Sequence, residues 1–131
     1  MTDSALPKVV CRLLDQYIFS VSQLEILLLL RRHQSRRWAA HEIANEMHTN
    51  DVAAHDVLLR LAQSSLINQY KTTPLTFQYD ATNADLEFAL ARLADAYQTK
   101  RMRVIDQIYK KSTTNTFVHM ADAFKLRRDE T

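Results

Sequence analysis

The chain contains no glycine in 131 residues. This excludes Gly-rich phosphate loops, the dinucleotide-binding fingerprint and the G-x-S-x-G nucleophile elbow, because each uses backbone positions that only glycine fills easily. Strand-rich folds also lean on glycine in their turns, so a mainly helical chain is expected. Cysteine is almost as scarce. Cys11 has no second cysteine to pair with, which fits a reducing compartment, and no His or Lys pattern activates it, so it reads as a small residue beside the core. Long apolar runs are missing too. The longest, Ile26 to Leu30, is far short of the roughly 18 residues a membrane span needs. The opening MTDSALPKVV has no basic start followed by an apolar stretch, so no signal peptide, no membrane insertion and a cytoplasmic location are expected. Nor is there a surplus of one charge: the net charge is +2, with 24% charged residues, which fits neither a disordered tail nor a strongly basic nucleic-acid coat.

What is present is enough for one folded unit. The length suits a single domain, and 47% hydrophobic residues can supply one core. Residues 1–21 are expected to hold an N-terminal helix. Pro7 suits its first turn, and Val9, Val10, Leu13, Leu14, Tyr17 and Ile18 recur at three- and four-residue spacing on one face. Ser22-Gln-Leu-Glu25 has the form of a capping box. The helix it opens, through about Arg32, is apolar nearly all round, as a central core helix should be. Arg31, Arg32, Arg36 and Arg37 follow with no acidic residue among them, the densest positive cluster in the chain. They can complement the helix C-terminal dipole or contact phosphates.

The stretch from Trp38 to Ile67 reads as two short helices joined by a tight turn. Trp38 is expected in an extended link with its ring over the core. His41 to Met47 forms the first helix, turning Ile43, Ala44 and Met47 inward. His48-Thr49-Asn50 makes the turn, with Thr49 or Asn50 capping the next helix. That helix runs from Asp51 to about Gln63 and is expected to bury Val52, Val57 (or Ala54), Leu58 and Leu61, leaving Asp51, Ala53, His55, Asp56, Arg60 and Gln63 outward. Ser65 is expected in a left-handed cap, strained by roughly 1 kcal/mol relative to glycine. Asn68-Gln69-Tyr70 and Leu75-Thr76-Phe77-Gln78-Tyr79 alternate as a two-stranded ribbon, with Lys71-Thr72-Thr73-Pro74 at its tip.

Residues 22–80 thus resemble a winged helix-turn-helix domain, and residues 81–131 are expected to hold a C-terminal dimerisation helix and a short terminal helix. Asn83 is expected to cap the long helix, which continues to about Lys111. Leu86, Leu90, Leu93, Tyr97, Val104 and Ile108 follow four-three spacing and are assigned to a dimer seam, because a helix of this length is expected to have little domain core left to cover. Phe88, Met102, Ile105 and Tyr109 form a second apolar line. Beyond a polar break at Ser112 to Asn115, Phe117, Met120 and Phe124 mark one side of a short amphipathic helix. It is expected to fold back on its own dimer or to serve as a docking segment for another protein.

No catalytic constellation stands out, so the chain is not expected to be an enzyme, and no cofactor is implied. His41, His48 and His55 recur every seven residues, but helical metal ligands come three or four apart, so no metal site is expected.

With these parts placed, the chain from roughly Ser22 to Ile108 resembles the small dimeric winged-helix transcription regulators of bacteria, of the MarR and PadR types. The resemblance implies a mainly α fold, a homodimer built on terminal helices, and a second motif helix laid in the major groove of double-stranded DNA. It would bring Asn50, Ala53, His55, Asp56 and Arg60 to bases or phosphates, with Lys71 and Thr72 from the wing. Asp51 and Asp56 against Arg60 leave that helix one negative charge. Phosphate affinity would then come from Arg31, Arg32, Arg36, Arg37 and the long helix. Two functions stand: a DNA-binding regulator of transcription, or a winged-helix protein–protein module whose surface is the acidic motif helix or the Phe117–Phe124 segment.

Overall fold

The computed structural model describes residues 6–80 and 82–110. Phe117, Met120 and Phe124, with the terminal helix expected around them, lie outside the described residues. The elements run α1 (Lys8–Tyr17), α2 (Val21–Arg32), β1 (Trp38–Ala39), α3 (Ala40–Met47), α4 (Asp51–Gln63), β2 (Ile67–Tyr70), β3 (Thr76–Tyr79) and α5 (Ala84–Thr99). A further helical segment, α6, covers residues 101–110. The strands form one antiparallel sheet in the order β1-β3-β2, with Trp38 opposite Phe77 and Gln69 on the other side of Phe77. Phe77 and Tyr79 alternate inward, while Thr76 and Gln78 turn away.

α2 is the central helix. Leu24 and every residue from Ile26 to Leu30 are buried, as its all-round apolar sequence requires. Its start lies two residues earlier than the Ser22–Glu25 pattern suggests. The Ser20 hydroxyl accepts from the Gln23 backbone N–H at 3.1 Å, and Gln23 Oε1 accepts from the Phe19 N–H at 2.8 Å. Ser20-x-x-Gln23 therefore does the capping. Gln23 is buried and its amide also donates to the Tyr17 carbonyl, fixing the corner between α1 and α2, which explains why this earlier start prevails. Glu25 is left to accept from the Tyr97 hydroxyl at 2.9 Å and from Arg101 at 3.1 Å.

The C-terminal helices differ most from expectation. The helix is interrupted at Lys100, whose backbone leaves the helical region (φ −134°, ψ 47°), and resumes as α6. The assignment of Leu86, Leu90, Leu93, Tyr97, Val104 and Ile108 to a dimer seam is corrected for its central members. Leu90, Leu93, Val104 and Ile108 are buried in the core of their own chain, and Leu86 and Tyr97 are half-buried against it. The reason is α1. Its face of Val10, Leu13 and Leu14 packs against α5, and the Gln107 amide donates to Asp15 at 3.1 Å to hold α6 alongside. The four-three line thus has core to cover after all. It is the second line that remains outside: Phe88 is 57% exposed, Met102 65% and Tyr109 62%.

Candidate nucleic-acid interface

The turn between α3 and α4 is built without glycine. His48 takes the left-handed conformation (φ 54°), and the Thr49 N–H closes on the Ala44 carbonyl at 2.9 Å. Asn50 then caps α4, its Oδ1 accepting from the Ala53 N–H at 2.8 Å. At the far end, Ser65 N–H bonds Ala62 O and Leu66 N–H bonds Leu61 O, a Schellman pair that places Ser65 at φ 63°. Leu61 and Leu66 are both fully buried and anchor it. Both ends of α4 are therefore fixed.

α4 buries Ala54, Leu58 and Leu61, with Val57 half-buried. Val52, expected in the core, is 80% exposed. The correction is one of phase. Ala54, Leu58 and Leu61 keep the four-three spacing of one stripe, whereas Val52 lies two residues, about 200° of rotation, from Ala54. The outward face is thus Asp51, Val52, Ala53, Asp56, Arg60 and Gln63. Asp56 and Arg60 pair at 3.2 Å across one turn, so they largely cancel and Asp51 leaves the face slightly negative. His55 is half-buried, with Phe77 edge-on to its ring at 6.4 Å.

Beside α4 stands the wing. Lys71 and Thr72 are exposed at its tip. The Thr72 hydroxyl is engaged within the loop, 2.8 Å from the Pro74 carbonyl and 2.9 Å from Thr76 Oγ1. Ala40 and His41 of α3, Asp51, Val52 and His55 of α4, and Pro74 and Leu75 after the wing tip enclose a mostly carbon-lined cleft of about 400 Å³.

The four arginines of the expected phosphate cluster divide into three environments. Arg31 turns inward and makes a two-toothed contact with Glu87, 2.7 Å to one oxygen and 3.3 Å to the other. The Tyr79 hydroxyl donates to the same carboxylate at 2.7 Å, so Arg31 ties α2, β3 and α5 together. The hydrogen bonds from Arg31 hold the Glu87 carboxyl below the usual range, while burial beside Glu87 pushes the Tyr79 hydroxyl upward. Arg32 lines a separate cleft with Glu25, Glu46 and Arg101, on the side of α2 facing α5 and α6. The Tyr97 hydroxyl there is pushed up to about 12 by burial and its bond to Glu25.

Arg36 and Arg37 are both exposed, just before β1. The Arg36 guanidinium lies 3.6 Å over the Trp38 ring and pairs with Glu42 at 3.0 Å. The Arg37 guanidinium lies 3.7 Å over Tyr70 and has no ion pair among the described residues. Cation–π stacking gives both long side chains a fixed place on the surface. The sequence reading found the arginines but not their platforms, Trp38 and Tyr70. Trp38 is a near neighbour of Arg36 in sequence, whereas strand pairing supplies Tyr70, by bringing β1 and β2 to either side of β3. Among the described residues no group of three or more His, Cys, Asp or Glu side chains is placed to hold a metal ion, and no single helix is long and apolar enough to cross a membrane.

By sequence the chain matches no protein-family model and no curated protein. Its fold does match solved structures. MepR of Staphylococcus aureus, a transcription regulator of the multidrug efflux pump MepA, superposes with a TM-score of 0.54 at 14% identity, over 88% of this chain and 85% of that one. A mutant of the same regulator gives 0.51 at 15% identity, over 88% and 84%. The mainly helical winged-helix architecture expected from the sequence is thus the one the chain has.

Proposed function

We propose that this chain, sharing the fold of a transcription regulator, is itself a homodimeric regulator that binds double-stranded DNA in the cytoplasm and is not an enzyme. The observation that carries the reading is the outward face of α4, capped at both ends and exposed, beside a wing, with Arg36 held on the Trp38 ring of β1 and Arg37 on the Tyr70 ring of β2. In this reading α4 enters the major groove and presents Asn50, Ala53, His55, Asp56 and Arg60 near base edges. Arg36, Arg37, Lys71 and Thr72 meet phosphates. Asp56 is compatible, since a carboxylate accepts from the cytosine amino group. Arg31 has no part in it, and Arg32 faces the other cleft. The second copy of the chain meets the first through the stripe of exposed Met102, half-buried Ile105 and exposed Tyr109, which are three and four apart on α6, together with exposed Phe88.

The slightly negative α4 face favours a second reading, a winged helix that binds protein rather than DNA. Selection from a pool of random duplexes separates the two. Recovery of an inverted repeat with half-sites about one helical turn apart supports the regulator. Recovery of no enriched sequence, with no retention even at low salt, leaves the protein-binding module. For the dimer, the Met102→Asp, Tyr109→Asp double variant is expected to sediment as a monomer with unchanged helicity; an unchanged dimer removes this stripe from the contact.

A further inference from the structure

We propose that Val52 reads the 5-methyl group of a thymine, closing over it together with the carbon-lined cleft between α4 and the wing. The inference rests on the DNA-binding reading above and sharpens it to one base. Val52 is 80% exposed although apolar, and the core stripe of α4 passes on the other side of the helix. Among the described residues little packs against its methyl groups. It sits in the first turn, which Asn50 holds through the Ala53 N–H, so its position is rigid. Its neighbour Ala53 is small and exposed, leaving room for a base edge to approach. On the far side of Val52 the cleft offers Ala40, Pro74 and Leu75, carbon surface unsuited to a phosphate or a hydrogen-bonding edge.

In a major groove the thymine 5-methyl is the one methyl group and the largest apolar contact; beside it stand donors, acceptors and only the small C–H edges of the bases. A duplex is also what the surroundings suit electrostatically. Lys71 at the wing tip and Arg37, stacked on the adjoining Tyr70, lie together at that end of the wing, placed for a phosphate strand that flanks the groove. The acidic residues of this face are two: Asp51, which lines the cleft, and Asp56, which is answered by Arg60.

The test uses the duplex enriched by the parent protein, remade with deoxyuridine in place of thymidine at one position per half-site at a time. This removes the methyl group and nothing else. One position is expected to weaken the parent by about fourfold per half-site, the factor one buried methyl group is worth. Val52→Ala is expected to bind the all-thymine duplex as weakly as the parent binds that uracil duplex, and to be indifferent to the replacement. Val52→Thr, which keeps one of the two methyls, should retain part of the discrimination. Because Val52 is exposed, neither variant should lower the melting temperature. Equal ratios of parent to Val52→Ala affinity on every uracil duplex overturn this inference alone. Failure of the parent to enrich any duplex overturns the DNA-binding reading and this one with it.

Discussion

Arg31 and Arg37 stand at the two ends of one seven-residue run, RRHQSRR, and the fold gives them opposite tasks. Arg31 points into the junction of α2, β3 and α5, where Glu87 neutralises it and Tyr79 completes the carboxylate's bonds. Arg37 points out of the sheet and rests on Tyr70, with its charge unspent on any ion pair among the described residues. Sequence proximity joined them in one basic cluster. The turn between α2 and β1 separates them, so that Arg31 is withdrawn, Arg32 faces a cleft it shares with Glu25 and Glu46, and Arg37 is left open to an anionic partner. Arg36 is intermediate, stacked on Trp38 yet paired with Glu42.

That contrast can be broken from either side. The largest effect should come from the outer pair. Arg36→Ala with Arg37→Ala is expected to weaken duplex binding about tenfold near physiological salt, since one released counterion is worth roughly fivefold and Arg36 is partly offset by Glu42. Its melting temperature should stay within a degree or two of the parent. An unchanged affinity in a fluorescence titration would remove these residues from the interface.

Arg31→Ala should show the reverse pattern. Loss of the bidentate pair leaves Glu87 partly buried with only Tyr79, and is expected to cost about 1–2 kcal/mol in urea unfolding. DNA affinity, measured well below the unfolding midpoint, should not change.

The same junction predicts a pH dependence. Arg31 lowers the Glu87 pKa in the folded chain, so the carboxylate adds stability above its unfolded pKa, about 4.3 for a glutamate, and loses it as the pH falls through the folded value. The stability gap between parent and Glu87→Gln is therefore expected at pH 7 and should narrow below about pH 4. A gap that stays constant down to pH 3 would show that Glu87 acts through packing alone. Smallest is the effect of Ser65→Gly. Relief of the left-handed backbone at φ 63° should raise stability by at most about 1 kcal/mol, seen as a shift of a few degrees in a thermal melt.

Much of the fold could be read from apolar spacing, because burial acts on every residue of a helix. The all-round apolar α2, the alternation of β3, the Asn83 cap and the left-handed Ser65 are where the pattern placed them, and of Thr49 and Asn50 it is Asn50 that caps α4. The errors came where two patterns competed. Ser20-x-x-Gln23 and Ser22-x-x-Glu25 are equivalent as strings, and only the buried bonds of Gln23 favour the first. Val52 passed for core because valine is apolar, although the Ala54–Leu58–Leu61 stripe sets a different phase. Leu90, Leu93, Val104 and Ile108 passed for a dimer seam because the spacing of a coiled-coil line is also that of a helix covered by its own chain. Which of the two it is depends on where α1 lies, and that is a tertiary fact. The candidate site was half visible for the same reason. Its arginines and the Trp38 ring are local in sequence, but the Tyr70 ring that holds Arg37 arrives through strand pairing.

The most direct test of the central claim is the dependence of duplex affinity on salt, measured side by side for the parent, Arg31→Ala and the Arg36→Ala, Arg37→Ala double variant. Plotted as log K against log salt concentration, the parent and Arg31→Ala should share one steep negative slope, and the double variant should be shallower by about 1 to 2 units. A slope that changes with Arg31 and not with the outer pair, or no slope in the parent at all, would contradict the account.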